Sequence, residues 1–242
     1  MTQFSRRSFL KVAGSASVAT GVAVVSARAA ATTTSAPPAA NLFFTAQEAS
    51  FIQAACARLI PVDELGPGAI EAGVPNYLDK QLAGAWGAGE RLYRSGPWQK
   101  GTPMQGYQLP FTPAELFRHA LRGVAADFKS RNKDFVALSG DEQDAYLESL
   151  HADVRDLNGV PSDVFFDTLL AMTIEGFFSD PAYGGNRDMA AWKMIGFPGA
   201  YANYYDLVEL HGIKVTRAPA SIADAPRVEH MHQGPNIPAT LP

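Results

Sequence analysis

Four charged residues, Glu175, Asp180, Arg187 and Asp188, fall close together in the most aromatic part of the chain. Carboxylates beside a guanidinium could act as general acid, general base and anion clamp if a pocket gathered them. On a helix turning about 100° per residue, Glu175 shares a face with Thr168, Ala171 and Ser179, away from Phe166, Leu170 and Ile174. That favours a surface or interface carboxylate over a buried acid or base. His230-Met231-His232 sets two imidazoles on one side of an extended segment, a possible pair of metal ligands. No third ligand is evident and prolines surround the pair, so a solvated tail is the favoured reading. His119 stands beside Leu121 on a helical pattern, where a structural or surface histidine is favoured over a catalytic one. Cys56 lies between Ala55 and Ala57 and reads as a small buried hydrophobe, with an intermolecular disulfide as the alternative.

The motifs that announce larger chemistry are missing from the sequence. It has no G-x-G-x-x-G after a strand, no phosphate loop, no G-x-S-x-G elbow and no H-E-x-x-H. Gly84, Gly87 and Gly89 are in the wrong order for a dinucleotide turn. One cysteine excludes an intramolecular disulfide, a thiolate-held iron–sulfur cluster, a C-x-x-C-H haem attachment and a multi-thiolate zinc site within the chain. With 20 Lys+Arg against 24 Asp+Glu and a net charge of −4, no basic surface suggests nucleic acid. The 242 residues are 47% hydrophobic and 18% charged, which is composition enough for one sizeable core.

Residues 1–29 read as a targeting segment. Arg6, Arg7, Phe9, Leu10 and Lys11 open a weakly apolar run from Val12 to Ala27, and Ala27-Arg28-Ala29 offers small residues for cleavage after Ala29. The paired arginines look like a twin-arginine signal, which an exporter of folded proteins reads. A membrane anchor is the weaker reading, because the run is broken by Gly and Ser and falls short of the roughly 18 to 20 apolar residues a span needs. No later stretch reaches that length, so contact with a membrane is expected only through a partner. Removing this segment takes away four bases and no acid, leaving 16 Lys+Arg and 24 Asp+Glu, a net charge of −8.

The elements that must position the charged and aromatic residues are helices. Residues 30–41 form a flexible leader of Ala, Thr and Pro. Thr45-Ala46-Gln47-Glu48 is a capping box, in which Thr oxygen and Glu carboxylate satisfy the free amides of a helix start, and Pro61 ends the run that follows. Thr112-Pro113-Ala114-Glu115 opens a helix over 113–130 with Phe117, Leu121, Val124 and Phe128 on one face. Ser139-Gly140-Asp141-Glu142 is a third box, and Ser162 is expected to cap a fourth helix burying Phe166, Leu170, Ile174 and Phe177. Shorter helices are expected at 75–84 and 188–195. No strand alternation is convincing, so the fold class is all-α: a compact helical domain over 42–212 with long Gly/Pro-rich loops and an extended, proline-rich C-terminal tail over 213–242.

Aromatic residues supply the strongest remaining signal. Between Phe165 and Tyr205 lie ten of the chain's 25 aromatics, more than one small core requires. Such side chains anchor protein interfaces. Phe177, Phe178, Tyr183, Asn186, Arg187, Trp192, Phe197 and Tyr201 are therefore the candidate partner interface, with core packing around an ordinary turn as the alternative. The Gly- and Pro-rich segment from Arg94 to Phe111 is either a second interface element or a solvated loop.

These residues also resemble a known family. Glu175-Gly176-Phe177-Phe178-Ser179-Asp180-Pro181-Ala182-Tyr183-Gly184-Gly185-Asn186-Arg187-Asp188-Met189, followed by Trp192-Lys193-Met194-Ile195-Gly196-Phe197-Pro198-Gly199-Ala200, is similar to the signature of the gluconate 2-dehydrogenase small subunit (subunit 3, γ). Leu65-Gly66-Pro67-Gly68-Ala69, Glu71-Ala72-Gly73-Val74, Asp79-Lys80-Gln81-Leu82-Ala83-Gly84 and Gly96-Pro97-Trp98 fit the same pattern, so that the likeness covers roughly residues 43–212. The resemblance implies a non-catalytic subunit with no cofactor of its own. Its implied partners are an FAD-containing large subunit of the glucose–methanol–choline type, a multihaem cytochrome c that holds the complex at the periplasmic face of the membrane, and the twin-arginine translocase. It names no catalytic residue. The competing expectations are a stand-alone periplasmic enzyme using Glu175, Asp180, Arg187 and Asp188, or a periplasmic metal-binding protein built on His230 and His232.

Overall fold

The computed structural model describes residues 41–224 apart from Arg91, Lys100, Ala202, Asn203 and Thr216. The export residues Arg6, Arg7, Phe9, Leu10 and Lys11, the leader, and His230 and His232 lie outside the described residues. Among the described residues six α-helices carry the domain: α1 (Ala46–Leu59), α2 (Val74–Ala83), α3 (Pro113–Ser130), α4 (Gly140–Ala152), α5 (Ser162–Phe178) and α6 (Ala190–Ile195). The all-α expectation holds, with one small exception. Asp156–Leu157 (β1) and Val160–Pro161 (β2) pair antiparallel across Asn158-Gly159. Both turn residues have positive φ, 56° and 92°, the conformation Asn-Gly adopts at a two-residue hairpin.

Three helix starts follow from their capping boxes. At α1 the Glu48 amide donates to the Thr45 hydroxyl at 3.3 Å, and Glu48 Oε2 accepts from the Thr45 amide at 2.8 Å. Thr112/Glu115 and Ser139/Glu142 repeat the device at α3 and α4. α5 starts differently. Ser162 is its first residue and does not cap it; the Ser162 hydroxyl instead accepts the Arg155 amide at 3.0 Å, tying the hairpin to the helix.

α5 is the central element, packing against α1, α2, α3, α4 and α6. Phe165, Leu169, Met172, Thr173, Gly176 and Phe177 face the interior, with Phe165 edge-on to Phe117 of α3 at 5.4 Å between centroids. The expected core stripe of Phe166, Leu170, Ile174 and Phe177 is therefore rotated. Phe166 and Leu170 are half-buried and Ile174 is 46% exposed, so of the four only Phe177 is buried. The helix is apolar on most sides, and packing rather than polarity selects the inner face. At its C-terminal end Gly176 lets Tyr77 of α2 approach, since a Cβ there would stand 2.7 Å from the Tyr77 ring. A second cluster, Phe51, Phe128, Phe135 and Tyr146, joins α1, α3 and α4 with centroid separations of 4.6 to 5.8 Å.

One buried carboxylate holds the start of the domain. Asp79 of α2, 6% exposed, accepts the amides of Leu42 at 2.6 Å and of Phe43 and Phe44 at 2.9 Å each. Arg118 clamps the same strand of chain from the other side: its guanidinium lies 3.9 Å from the Phe43 ring centroid and donates to the Phe43 carbonyl and to Glu48.

The body also runs past residue 212, further than expected. The Ala200 amide donates to the Ala220 carbonyl at 2.8 Å, and the Ala220 amide to Pro198 at 3.1 Å. The Ser221 hydroxyl and Ile222 amide donate to Asp180 at 2.6 and 2.9 Å. Hydrogen bonds therefore hold this segment to the body, while its large apolar side chains Ile213, Val215 and Ile222 stay exposed.

Candidate functional site

The aromatic turn between α5 and α6 is organised around Asn186, which is fully buried. Its amide donates to the Gly176 carbonyl at 3.0 Å, its side-chain Nδ2 to the Ser179 carbonyl at 2.9 Å, and its Oδ1 accepts the Ala191 amide at 2.9 Å. Thus one side chain ties the end of α5 to the start of α6. It does so from a left-handed backbone, φ 41° and ψ 47°, which Asn tolerates better than other side chains. Asp188 and Met189 also take positive φ, at 57° and 54°. Gly185 must be glycine for space, because a Cβ would fall 2.1 Å from the Gly176 carbonyl oxygen.

Three further hydrogen bonds fix the turn to its surroundings. The Arg187 amide donates to the Ala72 carbonyl at 2.9 Å, and Asn76 Nδ2 to the Gly184 carbonyl at 2.8 Å, so the segment leading into α2 and α2 itself hold one side. On the other, the Trp192 indole N–H donates to the Phe178 carbonyl at 2.8 Å and the ring stacks edge-on with Phe197 at 5.2 Å.

The candidate interface residues divide accordingly. Phe177, Asn186 and Trp192 are buried and serve the interior. Tyr201 is half-buried, with its hydroxyl donating to the Ala218 carbonyl at 2.8 Å. Arg187 is exposed, as are Phe178 (38%), Tyr183 (51%) and Phe197 (44%). The outer face of α5 adds Ile174, and α6 adds Met194 and Ile195. Ile174 and Phe178 are one helical turn apart on α5, and the buried Trp192 donates to the Phe178 carbonyl and packs edge-on against Phe197, which holds the segment after α6 to the end of α5. Exposed patches of this kind mark interaction sites.

The four charged residues have separate duties. Asp180 spends both oxygens inside the domain, Oδ1 on the Ala182 amide and Ser221 hydroxyl and Oδ2 on the Ile222 amide. Glu175 is exposed and accepts a long hydrogen bond, 3.4 Å, from the Tyr77 hydroxyl. Burial, helped by the Glu175 charge, pushes that phenol up to about 12. Asp188 and Arg187 are exposed. Cys56 is fully buried, 3.6 Å from the Thr173 hydroxyl, with its thiol pushed up to about 11 by burial, as the small-hydrophobe reading expects. His119 lies against the hairpin, its Nδ1 2.9 Å from the Asn158 carbonyl and its ring 4.7 Å from that of Phe111. A hollow of about 430 Å³ lies beside it, between α3 and the hairpin, lined among others by Arg122, Asp127, Arg155 and Asp156; no residue of the aromatic turn reaches it. Among the described residues no group of three or more His, Cys, Asp or Glu could hold a metal ion.

Sequence reasoning missed Asp79 as an organising residue and placed Asn186 on the surface. The signal for Asn186 was available: an Asn after two glycines at a helix–helix turn is a common left-handed position. No local signal marked Asp79, whose partners lie 35 to 37 residues away.

The chain matches the family described as Gluconate 2-dehydrogenase subunit 3 over residues 46–199. That span runs from the first residue of α1 to Gly199, which pairs with the returning segment at Ala220. No curated protein and no solved structure matches.

Proposed function

The chain belongs to the gluconate 2-dehydrogenase subunit 3 family, and on that premise we propose that it is the non-catalytic small subunit of a periplasmic, membrane-associated, flavin-dependent dehydrogenase complex. In this reading it docks onto an FAD-containing large subunit, escorts that subunit folded through twin-arginine export, and stabilises it; a multihaem cytochrome c completes the complex. FAD and haem c belong to those partners. The observation that supports docking is the set of exposed apolar side chains, Ile174, Phe178, Tyr183, Ile195 and Phe197, on the elements joined by the turn that Asn186 pins. A surface held this firmly by buried hydrogen bonds is preorganised, so that little ordering entropy opposes association. The Arg6-Arg7 signal supports the export role.

The test is co-expression with a glucose–methanol–choline-type flavoprotein from the same genome. Co-purification is expected, with export of the flavoprotein depending on Arg6 and Arg7. Ile174→Glu with Phe197→Glu should abolish association while leaving the small subunit folded, since both side chains are exposed. A small subunit that remains an unassociated monomer while the flavoprotein is exported normally would sink the proposal.

A further inference from the structure

The loop between α2 and α3 carries exposed apolar surface that the docking site on α5 and α6 leaves unused. Its ends are fixed at one place on the body. The Ala114 amide donates to the Gly87 carbonyl at 3.0 Å, and the Tyr107 hydroxyl donates to the Phe111 carbonyl at 3.2 Å. Between those anchors residues 92–99 are all exposed. Tyr93 is 81% exposed, Met104 94%, Leu92 42% and Trp98 36%. Trp86, at the root, is exposed as well, so two of the chain's three tryptophans meet solvent in this region.

Charge separates this loop from the rest of the folded body, in which no other acid-free stretch is as long. From Glu90 to Glu115 the 24 intervening residues include Arg91, Arg94 and Lys100 and no acid, in a chain whose net charge is −4. Tyrosine and tryptophan rings settle where an apolar body and a polar tip are both satisfied, at the headgroup level of a bilayer. Cations beside them are drawn to anionic headgroups, whereas an acidic protein surface is repelled. A loop with both features, on an otherwise acidic chain, fits a negatively charged lipid surface.

We propose that the loop over residues 92–104 is a peripheral membrane anchor, seating Tyr93, Trp98 and Met104 among the headgroups of anionic phospholipids. Arg94 faces this role without leaving the fold: its guanidinium reaches Glu115 at only 3.5 Å, and both partners are about half exposed. Neither signal suffices alone, because shallow apolar insertion and a few surface cations are each a weak, reversible attraction.

Tryptophan fluorescence tests this directly, since residues 1–41 contain no tryptophan and Trp192 is 6% exposed. The full chain is mixed with vesicles of brominated phosphatidylcholine, with and without roughly one-third phosphatidylglycerol. Quenching is expected with the anionic vesicles and largely absent without phosphatidylglycerol. Trp98→Phe should remove most of the quenching while the chain still floats with the vesicles. Lys100→Glu should weaken binding by about 10- to 30-fold, because the charge of the loop sequence changes by two units. Flotation with unquenched tryptophan would overturn the proposal, as would quenching that Trp98→Phe leaves intact or equal quenching by neutral vesicles. Shielding of Trp98 only when the flavoprotein subunit is added would replace the lipid with a protein partner and equally overturn it. None of these readouts depends on whether the α5–α6 surface docks the flavoprotein.

Discussion

Replacing Asn186 tests whether the aromatic turn is held by one buried side chain. Asn186→Ala removes the bond to the Ser179 carbonyl and the bond from the Ala191 amide, both 2.9 Å. Ala191 is fully buried, so its amide loses its partner without gaining water. Each loss costs about 1–3 kcal/mol, and an alanine held at φ 41° adds about 1–2 kcal/mol. The total, about 3–8 kcal/mol, is a large share of the roughly 5–15 kcal/mol that stabilises an ordinary domain. Asn186→Gly loses the same bonds but tolerates the left-handed backbone. Its looser unfolded chain takes back about 0.5–1 kcal/mol, so it should be more stable than Asn186→Ala by no more than about 1.5 kcal/mol. Urea unfolding followed by circular dichroism gives both differences. An Asn186→Ala protein within about 1 kcal/mol of the parent would refute the claim that this side chain joins α5 to α6. A glycine variant less stable than the alanine variant would refute the backbone part of the reasoning.

Asp79→Ala strips the acceptor from three consecutive amides and should lower stability by about 3–5 kcal/mol, read by the same unfolding experiment. Limited proteolysis should then cut near Leu42 first, where the chain meets the domain. Cys56 should resist a maleimide in the folded protein at pH 8 and react promptly in urea, since burial keeps its thiol protonated up to about 11; fast native labelling would count against the packing of α1 on α5. Acid should loosen α1. Burial raises the Glu48 carboxyl, but the Thr45 amide and the Arg118 guanidinium outweigh it and hold the group below its ordinary 4.5. A depressed folded value means that its contribution is complete above that ordinary value and is lost as pH falls below it, so Glu48→Gln should flatten the acid limb of a stability–pH profile.

Helix starts were legible in the sequence because they are local. Thr45/Glu48, Thr112/Glu115 and Ser139/Glu142 each close within four residues, and all three helices begin where those pairs require. The inner face of α5 was not legible. Phe165, Phe166, Leu169, Leu170, Met172, Ile174, Phe177 and Phe178 surround most of the helix, and the narrow face of Thr168 and Glu175 does not single out which apolar side turns inward. The face is chosen by distant partners, Phe117 against Phe165 and Tyr77 against Gly176. Asp180 escaped a structural reading for the same reason, since the Ser221 and Ile222 groups that occupy it lie 41 and 42 residues away. At the hairpin, two-residue strands are too short to show alternation, although Asn158-Gly159 carries the turn chemistry.

The stretch most recognisable in sequence does its work by geometry more than by contact. Gly176, Gly185 and Asn186 are spelled by backbone demands: a ring 2.7 Å from a would-be Cβ, a carbonyl oxygen at 2.1 Å from another, and a left-handed residue whose amide and side chain make three hydrogen bonds. Few other residues meet those demands, so this part of the motif reads as fold. The outward groups, Ile174, Tyr183, Ile195 and Phe197, obey no such constraint and need only be apolar and held still. It follows that substitutions among large apolar residues at Tyr183 or Phe197 should be tolerated by the fold and tuned only by what docks there, whereas any side chain at Gly185 should lose the turn, and with it the docking surface, even though glycine touches no partner.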